Sequence, residues 1–393
     1  MKLTVKHIQM VGLYSIAHFL VDFACAFLMF RSIAGTREWY SCVLLYNFCA
    51  FAMQMPLGIL ADRLNRNYLF AVFGCALVGA AYGICRYPVA AVCAVGIGNA
   101  LFHLGGGIDV LNISEAKSGA LGVFVSPGAF GIYFGTMLGK GEASVEIPIL
   151  AALFAAAALV VALAASARRA RRFRNAHGAD AAREDVDAQD SRFASLHEPE
   201  PERDKATYKT PAGVHAIGSG ITANSEFSVD ASPSALVAVA CFFLVVCLRS
   251  YVGLAVQFPL WKGVGYWGFA LVCAVVFGKV AGGFVADRFG ARGATCASLG
   301  LAAIFFLFPQ FPATGLLSIL LFNMTMPTTL WALAKVYPGA RGFAFGLLTF
   351  GLFLGFLPVY FGVSAPPGAS WVFALGAVVS LALLMVGLRK VKM

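Results

Sequence analysis

The stretch Gly58-Ile-Leu-Ala-Asp62-Arg-Leu-Asn-Arg66 returns 225 residues later as Gly283-Phe-Val-Ala-Asp287-Arg-Phe-Gly-Ala-Arg292. Each copy follows an apolar stretch of about 20 residues, which is the length of a membrane-spanning helix. Each copy also stands between the second and third such stretch of its half of the chain. Two related halves of this kind are typical of secondary membrane transporters, so the repeat predicts two helical bundles in one chain.

The composition indicates that lipid is the solvent for most of this chain. Of its 393 residues, 60% are hydrophobic and only 12% are charged, whereas soluble domains carry about 25% charged residues. A backbone inside lipid must satisfy its own hydrogen bonds, which leaves helices or closed barrels. The apolar stretches do not alternate, which favours helices. We therefore expect an all-α membrane protein with twelve transmembrane helices, at 8–30, 38–60, 68–85, 88–111, 118–139, 147–166, 234–256, 264–286, 293–311, 313–334, 342–363 and 369–388.

A long polar segment separates the sixth and seventh predicted spans. It begins with five arginines between Arg168 and Arg174 and then becomes acidic, without hydrophobic periodicity. Such a composition cannot bury enough apolar surface to fold by itself, so it predicts a disordered linker. The expected organisation is a six-helix bundle over residues 1–166, a cytoplasmic linker over 167–232 and a second six-helix bundle over 233–393.

The distribution of Lys and Arg predicts the orientation of the chain in the membrane. With the N-terminus inside, the inside segments hold 22 of the 29 Lys and Arg residues and the outside segments hold five. The positive-inside rule then places both termini and the linker in the cytoplasm of an integral plasma (inner) membrane protein. The net charge of +10 follows mainly from this asymmetry. No basic patch is interleaved with aromatic residues on a soluble surface, so no nucleic-acid partner is expected.

Ionisable side chains within the predicted spans are few, and each costs on the order of 3 kcal/mol to insert. Two acids and two fixed cations suggest internal pairing, which lowers the cost of all four. The ionisable residues of the spans are Asp22, Asp109, His18, His103, Arg249 and Lys279.

Three of these residues are candidates for proton coupling. His18 and Asp22 are four residues apart in the first span, so they share one helix face about 6 Å apart along the axis. Burial in hydrocarbon favours the neutral form of a carboxyl group, and a neighbouring His can exchange a proton with it. His18, Asp22 and His103 are therefore the predicted proton-coupling residues. A structural hydrogen bond that tethers the first span to a neighbour is the alternative.

The predicted anion-binding residue is Arg249, because a guanidinium within the membrane needs either Asp22 or a substrate anion as its partner. Lys279 lies about 12 Å deeper than the second charged turn, and both a pairing with Asp109 and a substrate contact stay open. Two amides of the second span are seven residues apart and share a face, as groups lining a cavity would. The predicted substrate-binding residues are Arg249, Lys279, Asn47, Gln54 and Asn323.

Glycine, proline and small polar residues cluster in spans 4, 5, 10 and 11. The clusters are five glycines within 96–107, Ser-Pro-Gly at 126–128, Asn-Met-Thr-Met-Pro-Thr at 323–328, and two glycines and a proline within 351–358. Interrupted helices at matching positions of two halves indicate a substrate path. Close packing of helices through small residues is the alternative.

The two charged turns resemble the Gly-x-x-x-Asp-Arg-x-Gly-Arg signature of the major facilitator superfamily. The first copy has Asn65 where Gly is usual, and the second has Gly290 there. The resemblance implies the major facilitator fold, in which this turn latches the two bundles on the cytoplasmic side. With arginines at hand, each Asp should pair across or within that face. Near the cytoplasmic end of span 4, Asp109 is predicted to pair with a gating residue, and independent packing contacts of His103 and Asp109 are the alternative. The predicted gating residues are Asp62, Arg63, Arg66, Asp109, Asp287, Arg288 and Arg292.

Three further patches resemble the fosmidomycin-resistance-like drug efflux proteins. They are Ala-His-Phe-Leu-Val-Asp at 17–22, Asn-Ala-Leu-Phe-His-Leu-Gly-Gly at 99–106, and Leu-Arg-Ser at 248–250 followed by Phe-Pro-Leu at 258–260. Span 5 partly resembles the antiporter motif of exporters, with Ser126 in place of a usual Gly. The resemblance implies a proton-coupled antiporter that exports a small organic anion or amphipathic drug by alternating access.

Two other functions stay open: a proton-coupled uptake symporter of a small organic solute, and a non-transporting membrane receptor or assembly protein. An enzyme is not expected, since no nucleophile–base–orienter set is present in the sequence, and neither is ATP-driven transport, since no P-loop is present. The ten Cys show no ligand spacing, so neither a metal nor another cofactor is expected. The expected partners are a small-molecule substrate, protons and membrane lipid, with the chain acting as a monomer.

The charge asymmetry generates a topological prediction. A phosphatase that is active only outside the cytoplasm should be silent when fused near residue 200 and active when fused near residue 142, because the intervening spans place these points on opposite sides. Enzyme activity of the two fusions in intact cells measures this. Activity at residue 200 and silence at 142 would reverse the orientation.

Overall fold

The computed structural model describes residues 5–114, 117–141, 144–160, 232–256, 261–363 and 369–391. These residues are helical apart from their connecting turns, and no strand occurs among them. Nine of the described helical segments are long and apolar enough to cross a membrane, and three further apolar helices are shorter. The predicted all-α membrane fold is thus confirmed. The predicted linker, apart from Ser232, lies outside the described residues.

The helices follow one another in the order of the predicted spans. A five-residue π turn extends α1 through Met29–Ile33, and a second one, Phe48–Ala52, joins α2 to α3 within one span. In the first half the helices are α1 (Val5–Leu28), α2 (Trp39–Asn47), α3 (Gln54–Leu64), α4 (Asn67–Gly83), α5 (Pro88–Ile113), α6 (Gly119–Val125), α7 (Pro127–Lys140) and α8 (Glu146–Val160). In the second half they are α9 (Pro233–Ala255), α10 (Trp267–Phe289), α11 (Ala291–Phe306), α12 (Pro312–Asn323), α13 (Thr325–Val336), α14 (Arg341–Tyr360) and α15 (Ser370–Lys390).

In both charged turns, the residue that follows the helix has a positive φ angle. Asn65 follows α3 with φ of 48°, and Gly290 follows α10 with φ of 83°. Positive φ is a region that glycine enters freely and that asparagine tolerates better than most other residues. This explains how Asn65 takes the place of the glycine found in the second copy.

The expectation of interrupted helices at matching positions of the two halves is wrong. Span 5 is interrupted at Ser126 and span 10 at Met324, whereas α5 runs unbroken through its three consecutive glycines and α14 through Pro358. The glycines of α5 instead allow close helix packing. A Cβ on Gly98 would lie 2.8 Å from the backbone nitrogen of Val78 in α4.

Glycines also let the two halves approach backbone to backbone at the end of the molecule that carries the charged turns. In one crossing, Gly58 of α3 packs against the Gly342 carbonyl of α14. In the other, a Cβ on Gly283 of α10 would lie 2.7 Å from the carbonyl oxygen of Ser118, just before α6. Only residues without a side chain fit at such distances, so both crossings depend on the glycines of the repeated stretch.

Each repeated aspartate caps a helix of the opposite half. The Asp62 carboxylate accepts hydrogen bonds from the backbone N–H groups of Gly342 (2.7 Å) and Phe343 (2.8 Å) at the start of α14. The Asp287 carboxylate accepts them from Ser118 (2.7 Å) and Gly119 (2.9 Å) at the start of α6. A carboxylate at a helix N-terminus satisfies amides that lack helical partners and complements the helix dipole.

The two aspartates therefore pair across the halves, and they do so with backbone amides rather than with the neighbouring arginines. Among the ion pairs of the described residues, none involves Arg63, Arg66 or Arg288, and all three side chains are exposed. The expected pairing of Asp62 and Asp287 with arginines is corrected accordingly. The gating role of the charged turns and their cytoplasmic location stay predictions.

The two caps generate a reciprocal prediction for hydrogen–deuterium exchange. Asp62→Ala should make the amides of residues 342–343 exchange about fivefold faster, since loss of a helix cap costs about 1 kcal/mol. Asp287→Ala should do the same for residues 118–119. Each variant is the control of the other, because the exchange of the second cap should not change. Unaltered exchange at both sites in both variants would mean that the caps do not stabilise the contact between the two halves.

Candidate functional site

A cluster of polar side chains joins α1 to α5 within the first half. His18 Nε2 lies 3.1 Å from Asp22 Oδ2, and His103 Nε2 lies 3.7 Å from Asp22 Oδ1. Asn99 Nδ2 donates a hydrogen bond of 2.9 Å to Asp22 Oδ1. His18, Asp22 and Asn99 are buried, with 5%, 7% and 1% of their surface exposed. The structure thus brings together the three residues that the sequence assigned to proton coupling.

The hydrogen bonds of the two imidazole rings determine which nitrogens carry hydrogen. His18 Nδ1 lies 2.8 Å from the carbonyl oxygen of Phe124, and His103 Nδ1 lies 2.9 Å from that of Asn99. A carbonyl oxygen only accepts hydrogen bonds, so both Nδ1 atoms must donate. In a neutral ring, the Nε2 atom then holds an unshared electron pair.

The two Nε2 atoms face each other at 2.8 Å. With hydrogen on both Nδ1 atoms, this contact is a hydrogen bond only if one Nε2 also carries a proton. That proton makes one ring an imidazolium beside the Asp22 carboxylate, and the cluster is then neutral as a whole. The geometry of His18, Asp22 and His103, which we call the shared-proton cluster, thus provides a place for one proton more than neutral rings carry. One ligand atom from each residue of the cluster lies within 4.8 Å of the others.

A break in span 5 supplies carbonyl oxygens to this site. Pro127 has no N–H to donate to Val123, and Ala129 donates to Ser126 (3.2 Å) instead of to Val125. The three carbonyls before the break accept hydrogen bonds from other spans. The donors are Ser15 Oγ to Val123 (3.2 Å), His18 Nδ1 to Phe124 (2.8 Å) and Lys279 Nζ to Val125 (3.2 Å).

Gly128 forms the wall of the cluster just after this break. A Cβ at this position would overlap both Asp22 Oδ2 and His18 Nε2. One helical turn later, a Cβ at Gly131 would lie 2.9 Å from the backbone nitrogen of Phe23. The glycines of α7 therefore let this helix lie directly against the ionisable face of α1.

Arg249 of α9 binds two threonines that follow the break in span 10. Its Nη2 atom donates to Thr325 Oγ1 (3.0 Å) and Thr329 Oγ1 (3.1 Å) of α13. The side chain is 7% exposed, and its Nε atom is buried without a hydrogen-bond partner. Among the described residues, Arg249 forms no ion pair, so the alternative partner Asp22 is not used. A buried guanidinium that lacks a carboxylate is a candidate site for an anion.

Lys279 lies between the two groups of residues. Its amine donates to Val125 and interacts electrostatically with Asp22 and with Arg249. No carboxylate of the described residues lies within ion-pair distance of it, and the pairing with Asp109 left open by the sequence is not formed. The two cations at the junction of the halves therefore lack acidic partners of their own.

Five other predicted site residues form hydrogen bonds within their own half of the chain. Asp109 accepts hydrogen bonds from Tyr14 (2.7 Å) and Asn67 (2.9 Å), which ties α5 to α1 and α4. Arg292 donates to the carbonyl of Leu388 (3.0 Å) within the second half. Each predicted amide ligand donates to a carbonyl four residues earlier in its own span. These amides are Asn47, Gln54 and Asn323.

Gln54 and Asn47 do not behave as one cavity-lining face. The π turn Phe48–Ala52 lies between them, which changes their angular relation. Gln54 is fully buried, and its carbonyl lies at the crossing with Gly346 of α14. In this conformation Gln54 is a packing residue, and its role as a ligand contact stays a prediction.

The sequence reasoning missed Asn99, Thr325, Thr329 and Gly128. Asn99 precedes His103 by four residues, and the two threonines are also four residues apart, so each pair shares a helix face. The four-residue spacing could therefore have identified both pairs from the sequence. Apart from the neighbouring proline, nothing in the sequence indicated the role of Gly128, because that role depends on the contact between α7 and α1.

Comparison with known proteins bears on the fold. No family model and no curated protein matches this sequence. Several solved structures match it. A variant of the E. coli fucose:proton symporter FucP is 13% identical, with 99% of this chain and 100% of that chain covered and a TM-score of 0.57. A second structure of FucP, described as a major facilitator superfamily transporter in the outward conformation, is 14% identical. The match covers 99% of this chain and 100% of that chain, with a TM-score of 0.57.

A bacterial homologue of the iron transporter ferroportin, in an outward-facing state, is 12% identical, with 99% of each chain covered and a TM-score of 0.58. At these identities the likeness establishes the fold alone. The fold is that of major facilitator superfamily transporters, as the charged turns predicted. Within it, the likeness to fosmidomycin-resistance-like proteins stays a prediction.

The contact of Gly128 with the shared-proton cluster generates a stability prediction. Gly128→Ala should lower the free energy of unfolding by about 1–3 kcal/mol, the usual cost of overpacking a filled site. Denaturant unfolding of the purified protein, followed by circular dichroism, measures it. Gly12→Ala is the matched control, because a Cβ there meets no atom within 4 Å.

The cost of Gly128→Ala should also be smaller in an Asp22→Ala background, because the shorter side chain makes room for the methyl group. Equal costs in the two backgrounds would show that Gly128 does not press on the cluster.

Proposed function

We propose that this protein is a proton-coupled secondary transporter of a small organic anion, working by alternating access between its two halves. The observation that carries the proposal is the shared-proton cluster together with two neighbouring cations that have no carboxylate partner. The proton and the anion would occupy neighbouring sites, one held by α1 and α5 and the other by α9, α10 and α13.

Electrostatics determines the sign of the coupling. When the cluster holds its extra proton it is neutral, and when it loses the proton it carries one negative charge. That negative charge attracts the Lys279 amine and repels an anion bound at Arg249. The two sites are electrostatically connected, since Lys279 interacts with both Asp22 and Arg249. Protonation of the cluster and binding of the anion therefore favour each other, which is the coupling that a symporter needs.

A proton antiporter requires the opposite sign, in which substrate and proton exclude each other. A cationic or neutral drug could achieve this by contacting Asp22 directly. Both oxygens of that carboxylate are already engaged, Oδ1 by Asn99 and Oδ2 by His18. The geometry therefore favours uptake of an anion over the export that the family resemblance implies.

The two helix caps support alternating access. Asp62 and Asp287 hold the halves together at the end of the charged turns, where two glycine crossings also lie. At the opposite end, Tyr360 Oη donates a hydrogen bond to the backbone carbonyl of Tyr40 (3.0 Å). We infer that this is a conformation closed at the charged turns. Two of the similar structures are described as outward-facing.

The proposal is tested in liposomes that contain the purified protein and a trapped pH-sensitive dye. Phosphonates and sulfonates, which stay charged and cross lipid poorly, are added outside one at a time. A symporter should acidify the interior when its substrate is added, whereas an antiporter should make it alkaline. Protein-free liposomes are the control for leakage of the undissociated acid.

Asp22→Asn should abolish the pH change and leave exchange of the labelled anion measurable, since the anion contacts remain. Asp109→Asn is the matched control, because it removes the other carboxylate of the spans, and its flux should still change the internal pH. Acidification by Asp22→Asn at the wild-type rate would exclude the cluster as the coupling site. Alkalinisation by the wild-type protein would replace symport by antiport.

A further inference from the structure

A groove runs along the outer face of the first half, between α3 and α4, with a side chain of α5 at its floor. Its volume is about 970 Å³. The walls are apolar, and several of the wall residues are exposed, among them Leu60 with 45% and Phe73 with 63% of their surface accessible. In a membrane, this groove opens towards the acyl chains of the surrounding lipid.

The length of the groove matches one leaflet of a bilayer. Its wall on α4 extends from Leu69 to Ala80, which is about 16 Å at 1.5 Å per residue. The hydrocarbon core of a bilayer is about 30 Å thick, so one leaflet contributes about 15 Å. An acyl chain that enters at the Leu69 end therefore reaches the middle of the membrane at Ala80.

Two arginines stand at the entrance of the groove. Arg63 and Arg66 belong to its lining and are exposed. Neither has an ion-pair partner within the described part of the chain, because the one acid of the turn, Asp62, accepts from the amides of Gly342 and Phe343. Two neighbouring guanidinium groups at the polar boundary form a site with the charge and the donors that a phosphate group needs.

We propose that this groove binds one anionic phospholipid, with its phosphate on Arg63 and Arg66 and an acyl chain along α4. The lining residues of the groove lie outside the shared-proton cluster and do not contact Arg249, and lipid binding is measured separately from transport, in which Arg63 and Arg66 are also predicted gating residues. Charge selects the headgroup: phosphatidylglycerol carries a net negative charge, whereas the choline of phosphatidylcholine places a cation beside the two arginines.

Native mass spectrometry of the purified full-length chain tests the proposal. Phosphatidylglycerol and phosphatidylcholine with identical acyl chains are titrated separately, and the fraction of lipid-bound protein gives the affinity. The double variant Arg63→Gln with Arg66→Gln should bind phosphatidylglycerol on the order of tenfold more weakly, from the loss of two lipid-facing cations. Its affinity for phosphatidylcholine should not change.

The variant Arg389→Gln with Lys390→Gln is the matched control. These two exposed cations end α15 at the same end of the molecule and do not line the groove. If this control lost as much affinity for phosphatidylglycerol as the Arg63/Arg66 variant, the effect would be one of general surface charge and the proposal would be overturned. Wild-type affinity in the Arg63/Arg66 variant would also overturn it.

Ala80→Trp tests the acyl-chain part separately. Ala80 is exposed at the far end of the groove, so the larger side chain should obstruct the groove without disturbing the packed interior. We expect weaker binding of both lipids. Wild-type affinity for phosphatidylglycerol in Ala80→Trp would place the acyl chain elsewhere and contradict the groove as the binding site.

Discussion

The missing amide hydrogen of Pro127 is the constraint on which the candidate site depends. In lipid, no water replaces a lost backbone hydrogen bond, so each freed carbonyl must find another donor inside the protein. The break between α6 and α7 frees carbonyls that accept from Ser15 and His18 of α1 and from Lys279 of α10. One helix break thus orients an imidazole of the shared-proton cluster and anchors a cation of the opposite half.

The second break serves the other half of the site in a different way. At Met324 the chain ends α12 and begins α13, whose first turns present Thr325 and Thr329 to Arg249. Both threonine hydroxyls also donate to backbone carbonyls of span 10, Thr325 to Phe322 of α12 and Thr329 to Thr325 of α13, so their lone pairs are available to the guanidinium. The buried positive charge is solvated by neutral oxygens, which leaves it able to attract an anion.

The sequence predicted the helices and the charged turns because both depend on local chemistry. Apolar stretches about as long as the membrane is thick, and a carboxylate that ends a helix beside two arginines, can be recognised without knowing their neighbours. The adjacency of His18 and Asp22 was predictable for the same reason, since it follows from the helical repeat. The partners of Asp62 and Asp287 were not, because backbone amides leave no mark in a sequence.

Glycine is the residue whose meaning the sequence left most open. The glycines of α5 were expected to interrupt a helix, and instead Gly98 and Gly105 pack it against α4. Gly128, next to a proline, lies against Asp22 and His18. A glycine permits both a break and a close approach, and only the neighbouring helix selects between them.

The sequence by itself determined that the chain is a set of apolar helices in two related halves, since period, length and charge are properties of single segments. Only the tertiary structure decided which groups meet. His103 reaches His18, Asp287 reaches Gly119 and Lys279 reaches Val125 through helix crossings whose distances depend on side chains from two segments at once. Hydrogen bonds act over about 3 Å, and no spacing along one segment specifies a distance of that size to another.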